Sequence, residues 1–217
     1  MSNVNKNDSG VGFAPSVLPR TDIASNSKNS GIGVSTLSTP LWYVIRAAYG
    51  KESDGVRHLQ DNGFEVFYPT ITATKIVDGK RRNIVESRIP NIFFAFGSFD
   101  QLKDHIYNNV SEDTKHLRFY YAHYLDGSKG TVTVPQKQMD TLKIICGTGS
   151  ADVYISQNEL LKFKVGQHVV VTDGNFKGVE GIVARHKGQQ RVGIVINGML
   201  TATTAYIPSA FLRKLDN

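Results

Sequence analysis

The first regular hydrophobic pattern in the chain begins at Leu41. Leu41-Trp42-Tyr43-Val44-Ile45 is aromatic and β-branched, the composition of a buried strand. Lys51 to Gln60 then puts Val56 and Leu59 on one helical face, and Gly63 follows where a left-handed cap would stand. Phe64 to Tyr68 reads as a second strand closed by Pro69. Two polar-apolar strands, residues 71–77 and 80–85, flank Asp78-Gly79, the dipeptide that favours a type I′ turn, and predict a hairpin with Lys80, Arg81 and Arg82 at its basic tip. Ile92 to Phe96 is apolar on both faces and predicts a central strand. Ser98 with Gln101 resembles a capping box, ahead of a helix carrying Phe99, Leu102 and Ile106 on one face. Leu117 to Tyr124 is another aromatic strand, and Pro135 opens a helix bearing Met139, Leu142 and Ile145. Residues 40–146 therefore predict an α+β domain, an antiparallel sheet with flanking helices.

The flanks differ in kind. Residues 1–39 are dominated by Ser, Asn and Gly, and their isolated hydrophobes fall into no period, which predicts a disordered tail. Gly147-Thr-Gly-Ser-Ala151 breaks the helical pattern and opens a linker over residues 147–161, of which 153–161 has the makings of partial order. From 162 to 217 short β-rich runs, 167–171, 179–184, 192–196 and 203–207, alternate with glycine turns. That spacing predicts a small closed all-β barrel of SH3-like size.

Composition narrows the chemistry. Of 217 residues 40% are hydrophobic and 20% charged, so a packed core is expected. No apolar run approaches the roughly 18 to 20 residues that cross a bilayer, and the N-terminus has no apolar stretch after basic residues. A soluble, cytoplasmic protein without membrane contact is the expectation. The net charge of +6 permits contact with nucleic acid without requiring it. The single cysteine, Cys146, suits a reducing compartment and reads as a small packed residue. The six histidines show no HxH or HExxH spacing, and neither a Walker loop nor a Gly-x-Ser-x-Gly elbow occurs. The sequence predicts no enzyme, no metal and no cofactor.

Two motifs carry the functional reading. Between Val165 and Gly181 a strand enters an Asp173-Gly174 turn, followed by Phe176 and glycines at 178 and 181. This run resembles the KOW motif of ribosomal proteins and of transcription elongation factors of the NusG type, and by itself leaves ribosome and polymerase open. In the first unit, Trp42-Tyr43-Val44, Gly50 before a helix, Pro69, the Gly79-Lys80-Arg81 tip and Pro90 ahead of an aromatic strand together resemble a NusG N-terminal (NGN) domain. The run Pro69-x-Ile71-Thr72-x-x-Lys75-Ile76-Val77-x-Gly79-Lys80-Arg81, the Pro90-Asn91 pair and Lys115-His116-Leu117-Arg118-Phe119 are similar to the specialised RfaH and UpxY paralogues of the NusG superfamily.

The resemblance implies a transcription elongation and antitermination factor. Its N-terminal domain would grip the clamp helices of RNA polymerase, with Tyr43, Phe67, Tyr68, Ile92 and Phe94 as the docking residues. Ile92 stands where family members usually carry tyrosine. Arg46, Lys51, Arg57, His58 and Arg118 would meet the displaced non-template DNA strand, while Ala48 replaces a further basic residue of RfaH. The KOW unit would present Asn175, Phe176 and Lys177 to a small-subunit ribosomal protein or to Rho. Phe176 reads either as an anchor for such a partner or as a plug for its own barrel. Two other readings stay open at this point: a housekeeping NusG that couples polymerase to Rho or ribosome, and a ribosome-associated RNA-binding KOW protein.

Overall fold

The computed structural model describes residues 17–18, 39–48, 50–124, 127–157, 166–186, 188–196 and 199–215. The first unit runs β1 (Val17–Leu18), β2 (Leu41–Ala47), α1 (Glu52–Asp61), β3 (Glu65–Phe67), β4 (Thr70–Val77), β5 (Lys80–Ser87), β6 (Ile92–Gly97) and α2 (Phe99–Lys103). A π-helical turn (Asp104–Asn108), β7 (Leu117–Phe119), β8 (Tyr121–Tyr124), β9 (Lys129–Thr131), β10 (Thr133–Val134) and α3 (Gln136–Gly147) complete it.

Strand β6 lies between β2 and β3 in a five-stranded antiparallel sheet, as its two apolar faces require. The other edge of β2 is shared, by β10 at Trp42 and Tyr43 and by β7 at residues 45–47. Strand alternation sends Trp42, Val44, Ile92 and Phe94 into one cluster and Tyr43, Ile45, Phe93 and Ala95 into another. Helices α1 and α2 and the π turn close the second cluster with Val56, Leu59, Leu102 and Ile106. Ser98 caps α2 by accepting from the Gln101 amide. Helix α3 packs on the first cluster with Met139, Leu142, Ile145 and Cys146. It is pinned there by Trp42, whose Nε1 donates to Gln136 Oε1 at 2.8 Å and whose ring lies 4.2 Å from the Lys143 ammonium.

The Pro90-Asn91 pair sets where β6 begins. Asn91 has φ of 65°, a left-handed conformation that asparagine tolerates better than most residues. Its amide donates to the buried carboxylate of Glu52 at 3.0 Å, and its carbonyl accepts from the Ala47 amide at 2.9 Å. The β4–β5 hairpin turns at Asp78 (φ 51°) and Gly79 (φ 73°), as the dipeptide predicts, and among the described residues the two strands pair only with each other. It stands out as a ribbon with Ile76 74% and Val85 66% exposed.

The predicted strand over residues 117–124 is broken at Tyr120. Its amide bonds to the Val44 carbonyl and its carbonyl to the Val132 amide, so the chain leaves the main sheet there. Beyond the break β8 and β9 form a separate small sheet, to which β1 adds in parallel at His123 and Tyr124. This pairing is one departure from the tail expected over residues 1–39; the rest of that tail up to residue 38 lies outside the described residues.

The second unit consists of β11 (Tyr154–Ser156), β12 (His168–Val171), β13 (Glu180–His186), β14 (Gln189–Ile196), β15 (Leu200–Thr203), a 3-10 turn (Ser209–Phe211) and β16 (Leu212–Lys214). They form one antiparallel sheet in the order β11-β15-β14-β13-β12-β16. The linker supplies a strand, because Val153 is buried and β11 satisfies the free edge of β15. The last run ends its pairing at Thr203, with 204–208 outside any strand. The all-β unit expected for residues 162–217 is present, its sheet running from β11 to β16 among the described residues. Linker residues 158–161 and barrel residues 162–165 lie outside the described residues.

The two units share a core through α3. Its Met139, Leu142, Ile145 and Cys146 belong to the same buried cluster as Val153, Val171, Phe176, Val192 and Leu200. Ile144 reaches Gly178 of the second unit, and Lys137 pairs with Glu180 at 2.7 Å. Arg88 Nη2 also donates to the Ser150 carbonyl at 2.9 Å, and Gln157 Nε2 to the Pro90 carbonyl at 3.1 Å. Among the described residues no helix is long and apolar enough to cross a membrane.

Candidate nucleic-acid interface

The five residues expected to dock on polymerase do not make one accessible surface. Tyr43, Ile92 and Phe94 are buried. Tyr43 belongs to the α1–α2 side of the sheet and Tyr68 packs against it, whereas Ile92 and Phe94 belong to the α3 side with Phe67 packed against them. The expectation of an exposed apolar handle at Ile92 and Phe94 is thus corrected, and the reason is that α3 covers that face. Phe67 and Tyr68 alone are half-buried, at the edge strand β3, and they turn to opposite faces. Burial raises the Tyr68 phenol above its ordinary value, with the Glu52 carboxylate adding to it.

Phe176 is corrected likewise. It is 6% exposed and joins the core shared with α3, so it plugs its own unit. Its neighbours Asn175 and Lys177 are exposed. The tight loop that holds them depends on Gly174 (φ 78°) and Gly178 (φ 89°), with the Gly174 amide donating to Asp173 Oδ1 at 2.7 Å.

The basic residues fall into two groups. Lys51 and Arg57 both pair with Asp54, at 3.4 and 3.0 Å, as helix-surface ion pairs worth about 0.5 kcal/mol each. His58 is half-buried against His105, ring centres 5.7 Å apart. Arg46 and Arg118, by contrast, are cross-strand partners on β2 and β7, and both are exposed. Arg118 is held by its Nη1, which donates to the Lys115 carbonyl at 3.0 Å, and its guanidinium lies 6.0 Å from the Tyr107 ring.

These two arginines open onto a cleft of about 640 Å³, formed where the chain leaves the main sheet at Tyr120. Lys115, His116, Tyr121, His123 and Lys129 line it with them, and among the described residues no carboxylate does, although Lys115 is paired with Glu112. Sequence analysis found the arginines and the Lys115-His116 segment but missed Tyr121, His123 and Lys129. Their signal is the alternation of Tyr121, Ala122 and His123, in which only Ala122 turns into the core. The Lys129 ammonium stands 5.3 Å from the Tyr121 ring. Burial raises the Tyr121 phenol above its usual range, assisted by Tyr107, so it remains a neutral ring at physiological pH. Positive groups interleaved with aromatic rings match the chemistry of nucleic-acid binding.

Among the described residues no group of three or more His, Cys, Asp or Glu side chains could hold a metal ion. Cys146 is buried, and burial pushes its thiol up to about 12, against the mild pull of Arg88. Such a thiol is not a nucleophile at neutral pH.

Residues 40–143 match the family described as "Transcription termination factor nusG". A solved structure titled "Domain interaction in Thermotoga maritima NusG" aligns over 82% of this chain and 98% of its own, at 16% identity and a TM-score of 0.40. The matched segment begins just before β2, ends within α3 and contains the whole antiparallel sheet with its covering helices. Residues 40–143 are thus similar to a family described as a transcription termination factor.

Proposed function

We propose that the protein is an operon-selective transcription elongation and antitermination factor of the RfaH and UpxY type. The observation that supports this reading is the match of residues 40–143 to the family described as "Transcription termination factor nusG". Its domain binds RNA polymerase at the clamp helices, holds the clamp closed and suppresses pausing. Such a bridge acts by differential binding: favouring the elongating state by about 1.4 kcal/mol shifts its balance against the paused state tenfold. Phe67 and Tyr68, at the edge of the sheet, are the polymerase-facing residues still partly open to solvent. Tyr43, Ile92 and Phe94 support that edge from within.

Arg46 and Arg118 hold phosphates of the displaced non-template strand, and Lys51, Arg57 and His58 extend the basic surface along α1. The second unit acts as a KOW domain. Its exposed Asn175 and Lys177 meet a small-subunit ribosomal protein or Rho, which gains from the high local concentration that a tethered unit provides.

Pull-down of the tagged full chain, followed by single-round transcription with the captured polymerase, tests the reading. Polymerase is expected in the eluate, and pause lifetimes should shorten severalfold on adding the protein. Capture of ribosomes in place of polymerase, persisting in high salt, would overturn the assignment. Chromatin occupancy across most transcribed genes would overturn operon selectivity while leaving polymerase binding intact.

A further inference from the structure

A second cleft, of about 470 Å³, lies where the two units meet. Lys137, Gln138 and Thr141 of α3 form one wall, and His168, Ile182 and Val195 of the second unit form the other. Residues directly opposite each other in neighbouring strands project to the same face of a sheet. The register therefore sets His168, Ile182, Gly193 and Thr203 in one row, with Val195 and Thr201 in a row beside it. Gly193 adds no side chain between Ile182 and Thr203, which leaves room for a flat ring. The two threonines continue this face one strand beyond Gly193 and Val195. They are 0% and 1% exposed, and among the described residues neither Oγ1 has a hydrogen-bond partner. A buried hydroxyl left unpaired is costly, and here two stand on one face of β15, two residues apart. On β13, at the other side of the cleft, Glu180 pairs with the exposed Lys137.

We propose that this cleft binds a small flat aromatic acid. The ring lies against Ile182 and Val195, the carboxylate meets Lys137, and a hydroxyl or carbonyl at the far end meets Thr201 and Thr203. The inference goes beyond the polymerase reading and does not depend on it. Three features select the ligand. The volume falls within the range of small-molecule sites, which are mostly apolar and carry a few placed polar groups. Lys137 is held only by an exposed ion pair, weak enough for a ligand carboxylate to take its place. The threonine hydroxyls both donate and accept, and β15 lies two strand spacings, about 10 Å, from β13, the length of a single ring with a short acid arm. Both units supply walls, so the ligand binds only their joined form and stabilises that form by mass action.

The test titrates the full chain by calorimetry with para-coumarate, a flat ring acid whose hydroxyl lies opposite its acid arm. Saturable binding of one probe per chain is expected, at about 1 mM or tighter. Cinnamate, which lacks the hydroxyl, and para-coumaramide, which lacks the charge, should each bind severalfold more weakly. Lys137→Gln should remove the preference for the acid over the amide. Glu180→Gln, which frees Lys137, should tighten para-coumarate severalfold, the opposite of what loss of a merely structural ion pair would do. The double variant Thr201→Val with Thr203→Val keeps the shape of both side chains. It should remove the preference over cinnamate and leave the thermal midpoint of the ligand-free protein unchanged or higher. Val195→Trp fills the cleft from an exposed position and should block all three probes. No saturable binding of para-coumarate to the parent, or parent-like binding to Val195→Trp, would overturn the cleft. Equal affinity of the parent for the acid and the amide would overturn the role of Lys137, and equal affinity for para-coumarate and cinnamate that of the threonines. If Val195→Trp does not fold, the Lys137 and Glu180 variants, both at the rim, decide the matter: unchanged para-coumarate affinity in both refutes the site.

Discussion

At the scale of single residues, Cys146 shows how burial becomes a stability term. It sits on the sheet-facing side of α3, and burial lifts its thiol from the ordinary 9.0 to about 12. A folded-state value above the unfolded one means that its contribution is fully present below about pH 9 and is lost as pH climbs towards 12. Each pH unit inside that window costs about 1.4 kcal/mol of differential protonation. The parent is therefore expected to lose about 2 kcal/mol more than Cys146→Ala between about pH 8 and about pH 10.5, read from urea midpoints. Parallel losses in the two proteins would show that the thiol is not the titrating group. Asn91 makes a related point about sequence. The Pro90-Asn91 pair resembles a family signature, yet its physical content is one left-handed backbone position held by the Glu52 carboxylate so that β6 starts in register.

At the scale of elements, strands were legible where one rule decided them and were missed where two elements competed. β2, β6, the β4–β5 ribbon and all three helices follow from periodicity, caps and the Asp78-Gly79 turn. The break at Tyr120 has no glycine or proline to announce it. It arises because β10 and β7 divide one edge of β2 between them, a tertiary fact that no local pattern of residues 117–124 contains. The candidate site followed the same division. Arg46 and Arg118 could be found from sequence because they lie on the main sheet, whereas Tyr121, His123 and Lys129 enter only once the hairpin bends away. β11 was hidden for a different reason: its three residues are too few to outweigh the Gly-Ser run before them. What fixes β11 is Arg191, 3% exposed, whose guanidinium donates to the carbonyls of Asp152 and Thr204, with the Gln189 side-chain oxygen accepting a further hydrogen bond. Tyr154 adds a stacked contact with His186 at 5.1 Å. Arg191→Met removes every donor while keeping the apolar volume, and leaves two carbonyls without their guanidinium. A loss of about 3 kcal/mol is expected in chemical denaturation, together with early proteolysis near residue 152. A variant as stable and as resistant as the parent would show that β11 is held by its edge pairing alone.

At the scale of the whole molecule, α3 is the element that makes two units one folded body. Residues three and four apart share a helix face, so Lys137, Thr141 and Ile144 point away from the sheet that buries Met139, Leu142 and Ile145. That outer face meets the second unit, with Ile144 against Gly178 and Lys137 paired to Glu180. The ion pair is exposed on its lysine side and contributes at most about 1 kcal/mol, so the apolar contact carries the join. A continuous core of this kind predicts a single calorimetric transition for the whole chain. Ile144→Asp places a carboxylate where Gly178 closes on the helix and leaves the sheet-facing side chains of α3 untouched. The join then has to open to hydrate the charge, because an isolated buried carboxylate costs several kcal/mol. The expected result is two transitions in place of one, with faster proteolysis between residues 147 and 167, while Ile144→Leu keeps the single transition. If Ile144→Asp melts as one unit at an unchanged temperature, the shared core does not couple the units, and each half folds on its own hydrophobic cluster.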